Sequence, residues 1–333
     1  MRVWWHLSDY ISHRRAGEAY VRCLEAAGFE AAPRPEEADL AVVHEDPLFW
    51  PRIFRDRPAL AGMPVAGYAV WEGGTLPKVY RQGLSLVGEV WTASTFSAAA
   101  LGQGHPRVRV LPHVVEAVEP AEGDLRWAAG LLGPGPYFFS IVDALNPRKN
   151  MEALLRVFAR VRAVAPEIRL VLKQYRKEVP LRGVSGVISL GGDLGDGQLA
   201  ALYRGALAYG APHRGEAWGL ALSEAMAHGA PVLATGWSGN MDFMDGGNSV
   251  PLRYALEPVG ARMAGLLPHF TPDMLWAGVD ENHLQREMLR LVRRGPDPAM
   301  RVRARAVADR FSPARVARTL GVLLREFYSR NIR

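Results

Sequence analysis

Short runs of Val, Ile, Leu and aromatic residues recur along the chain, each followed by a stretch whose apolar positions fall three and four residues apart. In the first half the runs are 3–7, 40–43, 65–70, 90–93 and 108–111. In the second half they are 137–142, 168–172, 187–190, 206–209, 231–234 and 249–252. Runs of this length suit strands buried on both faces, and their alternation with amphipathic stretches predicts βαβ units with parallel sheets. Helical periodicity is clearest at 151–164, where Leu154, Leu155, Phe158 and Val161 share a face. The same holds at 316–327, with Val316, Leu320, Leu323, Leu324 and Phe327. Ser312 and Pro313 supply an N-cap and a first-position proline for the latter. Between the two sets of strands, 115–135 holds Pro120, Gly123, Gly133, Pro134 and Gly135, which read as a linker and a turn into a second sheet. The expectation is an α/β chain of two doubly wound domains, 1–118 and 136–310, joined by a linker at 119–135. A final helix, 311–333, is expected to pack back on the first domain. Such sheets bind ligands at the carboxyl ends of their strands, so two facing domains would enclose theirs in a cleft.

With 333 residues, 49% apolar and 22% charged, the chain has material for two buried cores, which excludes disorder as its main state. The long uncharged stretch 225–241 carries His228, Pro231 and three glycines and cannot span a bilayer. The apolar start, 1–7, has neither the length nor the cleavage site of a signal peptide, so a cytoplasmic protein is expected. Cys23 is the only cysteine, which excludes internal disulfides and a cysteine-rich zinc site. The net charge of +6 favours phosphate-bearing partners, but the 36 arginines are dispersed and form no stripe for nucleic acid.

Candidate chemistry concentrates in 213–240. The pattern there is a strand end, a loop with Glu216, a helix over about 220–228 stopped by Gly229, a strand and a further loop. The helix N-terminus near Gly219 and Leu220 offers N–H groups and a positive dipole end to a diphosphate. Glu216 before the helix can face a sugar, and Glu224 one turn into it can hold a ribose diol; neither is charge-paired nearby in sequence. His213 has no third ligand spaced with it and reads as a hydrogen-bonded strand-end histidine, not half of a metal site. In the first half, His44, Glu45 and Asp46 follow a strand and are candidates for a general base or acceptor contact. Trp71, Glu72, Gly73 and Gly74 read equally well as a ligand approach or a plain turn, and His113 as structural or functional.

Glu216 and Glu224 are separated by seven residues and flanked by Trp-Gly-Leu, Glu-Ala-Met-Ala-His-Gly and Pro-Val-Leu-Ala-Thr. With Ser238-Gly239-Asn240, Arg148-Lys149-Asn150, Leu172-Lys173 and Trp71-Glu72, this pattern resembles the retaining glycosyltransferases of the GT-B fold, group 1 or family 4. The resemblance implies two Rossmann-like domains and transfer of a sugar from a nucleotide-diphosphate donor, with retained configuration and no cofactor or obligatory metal. The chain contains no Asp-x-Asp, in agreement. It also implies that Glu216 orients the donor sugar, Glu224 holds the ribose, and Lys149, with Arg148 or Lys173, neutralises the diphosphate. Gly219, Leu220, Ser238, Gly239 and Asn240 complete the donor site, and His44, Trp71, Glu72 and His113 lie on the acceptor side. The acceptor is left open, a lipid or a polysaccharide among the candidates, with at most peripheral contact at the inner face of a membrane. Ala217 in place of a glycine, Asp143 in place of an arginine, and a first βα loop without paired glycines depart from the family pattern. The alternatives are a degenerate sugar-nucleotide binder and a nucleotide-sugar epimerase of similar architecture.

Overall fold

The computed structural model describes residues 1–181 and 183–331. Strands β1 (Arg2–Leu7), β2 (Glu30–Ala31), β3 (Leu40–His44), β4 (Val65–Tyr68), β5 (Glu89–Thr92) and β6 (Val108–Val110) form one sheet of order 2-1-3-4-5-6. A second sheet, of order 12-11-10-7-8-9, contains β7 (Tyr137–Val142), β8 (Arg169–Gln174), β9 (Val187–Leu190), β10 (Ala208–Ala211), β11 (Val232–Thr235) and β12 (Val250–Leu252). Every pairing in both sheets is parallel. An antiparallel ribbon, β13 (Tyr254–Pro258) with β14 (Leu275–Val279), completes the strands. This is the two-sheet α/β architecture expected from the sequence.

The chain divides into two compact units, and neither is a contiguous stretch. Unit 1 comprises Met1–Val114, Val259–Met274 and Arg310–Arg333; unit 2 comprises Val115–Pro258 and Leu275–Asp309. The core of unit 1 joins Val3, Tyr20, Leu24, Val42 and Tyr68 to Val316, Leu320, Leu323, Leu324 and Phe327 of the helix Pro313–Asn331. Each of those leucines contributes roughly 1.5–3 kcal/mol on burial, so this helix is integral to the unit. Residues 332 and 333 of the expected final helix lie outside the described residues. The core of unit 2 is built on Phe138, Leu154, Phe158, Leu170 and Leu233, with Leu284, Met288 and Leu291 from the helix Glu281–Arg294.

The structure differs from the sequence reading in two places. The stretch 119–135, read as a linker, contains the helix Glu122–Leu132 within unit 2. Its Asp124 side chain accepts from the Ala121 backbone N–H at 2.9 Å, and Ala128 and Leu132 are buried. Of the residues that suggested a linker, Pro120, Gly133, Pro134 and Gly135 flank this helix, and Gly123 sits in its first turn. Residues 259–274, expected in the second domain, form a segment between β13 and β14 that belongs to unit 1. Among the described residues no helix is long and apolar enough to cross a membrane.

Candidate functional site

In the second sheet the strand order reverses between β7 and β10, and open parallel sheets bind ligands at such switch points. Beyond β7 the chain makes a turn at Pro147–Lys149, which Asn146 fixes by accepting from the Arg148 N–H at 3.1 Å. Asn150 follows in the left-handed region, at φ 53°, and its Nδ2 donates to Pro212 O at 2.9 Å. Arg214 N donates to Arg148 O at 2.8 Å, and Arg148 Nη1 donates to Gly215 O at 2.7 Å. The loops after β7 and β10 are thereby laced together, and their charged side chains converge.

Lys149 Nζ lies 2.5 Å from Glu216 Oε1, and Arg148 Nη1 lies 3.1 Å from Oε2. The side chains are 30%, 13% and 11% exposed for Lys149, Glu216 and Arg148, so the cluster is shielded from water on most sides. Burial alone would raise the Glu216 carboxyl, but Lys149 and Arg148 outweigh it and hold it at about 2. Glu216 is thus charge-paired after all, with partners 67 and 68 residues away in sequence. His213 is 1% exposed beside this cluster, and burial, with Lys149 and Arg148, pushes it down to about 4 against the pull of Glu216. Among the described residues neither of its ring nitrogens has a hydrogen-bond partner, contrary to the hydrogen-bonded histidine expected.

The loop after β11 grips Glu216 by its backbone. Ser238 Oγ accepts from Glu216 N at 2.8 Å, and Gly239 N donates to Glu216 O at 2.8 Å. Ser238 does this at φ 81° and ψ −157°, a region that only glycine occupies readily. Asn240, fully buried, donates to Thr235 O at 3.0 Å. The Ser238 and Asn240 side chains are therefore engaged with protein, Ser238 holding the Glu216 backbone and Asn240 accepting from Ser238 Oγ at 3.3 Å. Gly219 stands at φ 96°, and a Cβ there would lie 2.6 Å from Leu222, so no other residue opens the helix Leu220–Ala227 in this way. Glu224, inside that helix, accepts from Tyr203 OH at 3.2 Å. Glu216 and Glu224 both lie near enough to Tyr209 to help burial raise its hydroxyl, which places the two carboxylates around one strand. Tyr203 and Tyr209 carried no motif and were not legible as site residues.

Lys173 does not join this group. It is buried, donates to Gln174 O at 2.9 Å, is pushed down by burial, and has Asp193 and Glu178 as its charged neighbours. Asp143 is buried, with Arg176 at 3.6 Å. Among the described residues no three His, Cys, Asp or Glu side chains are placed to hold a metal ion.

In unit 1 the corresponding reversal lies between β1 and β3. His44 ends β3 with its ring 4.3 Å from Tyr68 and accepts from Trp5 Nε1 at 3.4 Å. Tyr20 and Tyr68 share a hydrogen bond of 2.7 Å, and Tyr20 OH lies 2.9 Å from His113 Nδ1. Burial keeps this network neutral: His44 is pushed well down, with help from His13, and His113 to about 3, while Tyr20 and Tyr68 are pushed up. Trp71 is buried, donating from Nε1 to Thr75 O at 2.8 Å, and a Cβ on Gly73 would lie 2.9 Å from that nitrogen. The glycines after half-buried Glu72 thus serve the turn around Trp71. Asp46, by contrast, has a cluster of its own. Tyr80 OH donates to its Oδ2 at 3.2 Å, and His269 Nε2 lies 2.9 Å from the same oxygen without hydrogen-bond geometry. Phe270 packs on Trp71 at 4.8 Å. His269 and Phe270 come from the inserted segment, and nothing in the sequence around them signals this meeting.

Comparison with known proteins was made for sequence and for fold. Residues 128–249 match the family "Glycosyl transferases group 1". None of the curated proteins matches the chain. Sucrose-phosphate synthase from Thermosynechococcus elongatus superposes with a TM-score of 0.66 at 17% identity, over 99% of this chain and 99% of that one. WaaG, a glycosyltransferase involved in lipopolysaccharide biosynthesis, gives 0.64 at 12% identity over 97% and 99%. The pneumococcal O-GlcNAc transferase GtfA, in complex with UDP and GlcNAc, gives 0.63 at 12% identity over 88% of this chain, which spans 57% of that protein's length. The chain has the GT-B fold, and its residues 128–249 are similar to the group 1 glycosyltransferases.

Proposed function

We propose that the protein is a retaining, metal-independent glycosyltransferase that moves a sugar from a nucleoside-diphosphate donor to an acceptor hydroxyl. The observation that carries this is the meeting of Lys149, Arg148 and Glu216 at the β7–β10 switch point, with the Gly219 helix start on the same loop. Departure of a nucleoside diphosphate builds negative charge on the leaving oxygen, and positive charge develops at the anomeric carbon. Two shielded cations and a helix N-terminus stabilise the first, and a carboxylate held ionised stabilises the second. Glu224, turned toward Tyr203, holds the ribose. Lys173 has no part in this reading. Asp46 and His269 in unit 1 supply the acceptor side, in place of Trp71 and the His44–His113 network. A cytoplasmic setting, with at most peripheral membrane contact, suits a chain with one cysteine.

The division of labour is tested by steady-state kinetics over a panel of nucleotide sugars, with transfer and donor hydrolysis both measured. Glu216→Gln keeps shape and loses charge, so turnover should fall about 10²–10³-fold. Glu224→Gln should chiefly raise the donor Michaelis constant, because a ribose contact is present in ground and transition states alike. Equal effects of both on turnover would reject the assignment. An inverted anomeric product would reject retention, and binding without turnover would leave a sugar-nucleotide binder.

A further inference from the structure

The Glu216 carboxylate sits where an incoming diphosphate would have to go. Each of its oxygens already meets one of the two cations assigned to the donor, at 2.5 Å and 3.1 Å. Carboxylate and phosphate present the same feature to ammonium and guanidinium groups, namely paired anionic oxygens at hydrogen-bond distance. Two largely shielded cations held together without an anion would be costly, which is why the cradle carries a negative group of its own. An anion already in place must be displaced before another can take the same donors.

Resting on the donor reading above, we infer that Glu216 is a built-in stand-in for the donor diphosphate: it neutralises Lys149 and Arg148 in the free protein, and on donor binding it yields them to phosphate and turns to His213. His213 is the receiving group because it is 1% exposed beside Glu216, with neither ring nitrogen partnered among the described residues. Its charged neighbours are Glu216, Lys149 and Arg148, and a neutral imidazole has one N–H to offer a carboxylate. The backbone of Glu216 stays fixed meanwhile, clamped by Ser238 Oγ and Gly239 N, so only the side chain has to swing. The exchange gives recognition an order. Glu216 leaves the cations only once the diphosphate has engaged them, so a sugar without a diphosphate meets a carboxylate that is already occupied.

The test uses inorganic pyrophosphate and isothermal titration calorimetry on the whole protein. Glu216→Gln should bind pyrophosphate at least tenfold more tightly than the unaltered protein, and Glu216→Asp should lie between the two. Lys149→Ala should weaken binding at least tenfold in either background. His213→Phe should weaken pyrophosphate severalfold when Glu216 is present and have no effect alongside Glu216→Gln, a coupling that a purely structural role for His213 would not produce. Thermal melts of each variant confirm that it is folded. Binding that depends on Lys149 but is not tightened by Glu216→Gln would overturn the stand-in and leave the donor reading intact. An effect of His213→Phe that persists alongside Glu216→Gln would overturn the part given to His213. Absence of Lys149-dependent pyrophosphate binding would overturn both the donor reading and the inference.

Discussion

Both sheets reverse strand order once, between β1 and β3 in unit 1 and between β7 and β10 in unit 2, yet the side chains at the two carboxyl edges have opposite electrostatic characters. At the β7–β10 edge two cations and a carboxylate meet, with burial opposed by charge pairing so that Glu216 stays ionised. Around the β1–β3 edge, His113, Tyr20 and Tyr68 are buried and hydrogen-bonded to one another as neutral groups, with the neutral His44 ring packed on Tyr68. A paired ion cluster can exchange its internal anion for an external one. A neutral network of hydroxyls and imidazoles has no counter-charge to give. One topology thus supports two chemistries, set by which side chains follow the strands.

The largest effect that would sharpen this contrast is on turnover. Lys149→Ala should lower sugar transfer about 10²–10³-fold, as expected for loss of one preorganised charge. Asp46→Asn should leave pyrophosphate affinity within about twofold; a comparable loss of affinity would break the separation of roles.

Acid should come next. Glu216, held at about 2, contributes stability above its ordinary carboxylate range and loses it as pH falls through 2. His213, held at about 4, contributes fully above its ordinary value near 6.5 and loses that contribution as pH falls from there through 4. Each shift corresponds to a loss of order 3 kcal/mol. Melting temperatures of the unaltered protein and His213→Phe at pH 7 and pH 4 should therefore shift in the variant's favour as the solution is acidified. An unchanged difference between the two would show that His213 is not buried in the neutral form.

Backbone changes should be smaller. Gly219→Ala forces a left-handed conformation and a clash with Leu222, at a cost of about 1–3 kcal/mol that a thermal melt reads directly. Ser238→Gly should be the least disruptive. Relief of its strained backbone and loss of its bond to Glu216 N are both of order 1 kcal/mol and oppose each other. Its melting temperature should hardly move while turnover falls a few-fold, and an unchanged rate would show that the Ser238 clamp does not matter.

All eleven strands of the parallel sheets that ran to three residues or more were legible as apolar runs, because a strand buried on both faces has no polar alternation to hide it. β13 and β14 escaped because Tyr254, Leu256, Pro258 and Leu275 are exposed and the ribbon mixes them with Glu257 and Gly278. The donor-side motif named Glu216, Lys149 and Arg148 separately, but nothing local shows that residues 67 positions apart share a hydrogen bond. The surroundings of Lys173 were hidden for a related reason. Its strand was found correctly, but sequence does not say that its ammonium sits with Asp193 and Glu178. His269 was invisible because a segment flanked by two strands of unit 2 gives no sign that it belongs to unit 1.

That inserted segment and the helix Pro313–Asn331 also set a timetable for synthesis. Unit 2 has all its residues once Asp309 has been made, whereas unit 1 lacks six of the twenty buried residues of its core until Phe327 emerges. At about 5–20 residues per second, the first six strands wait roughly 10–40 s after Val114 for the helix that covers Tyr20, Cys23 and Leu24. The residues of unit 2 are thus complete before those of unit 1, the reverse of the usual N-to-C order of domains.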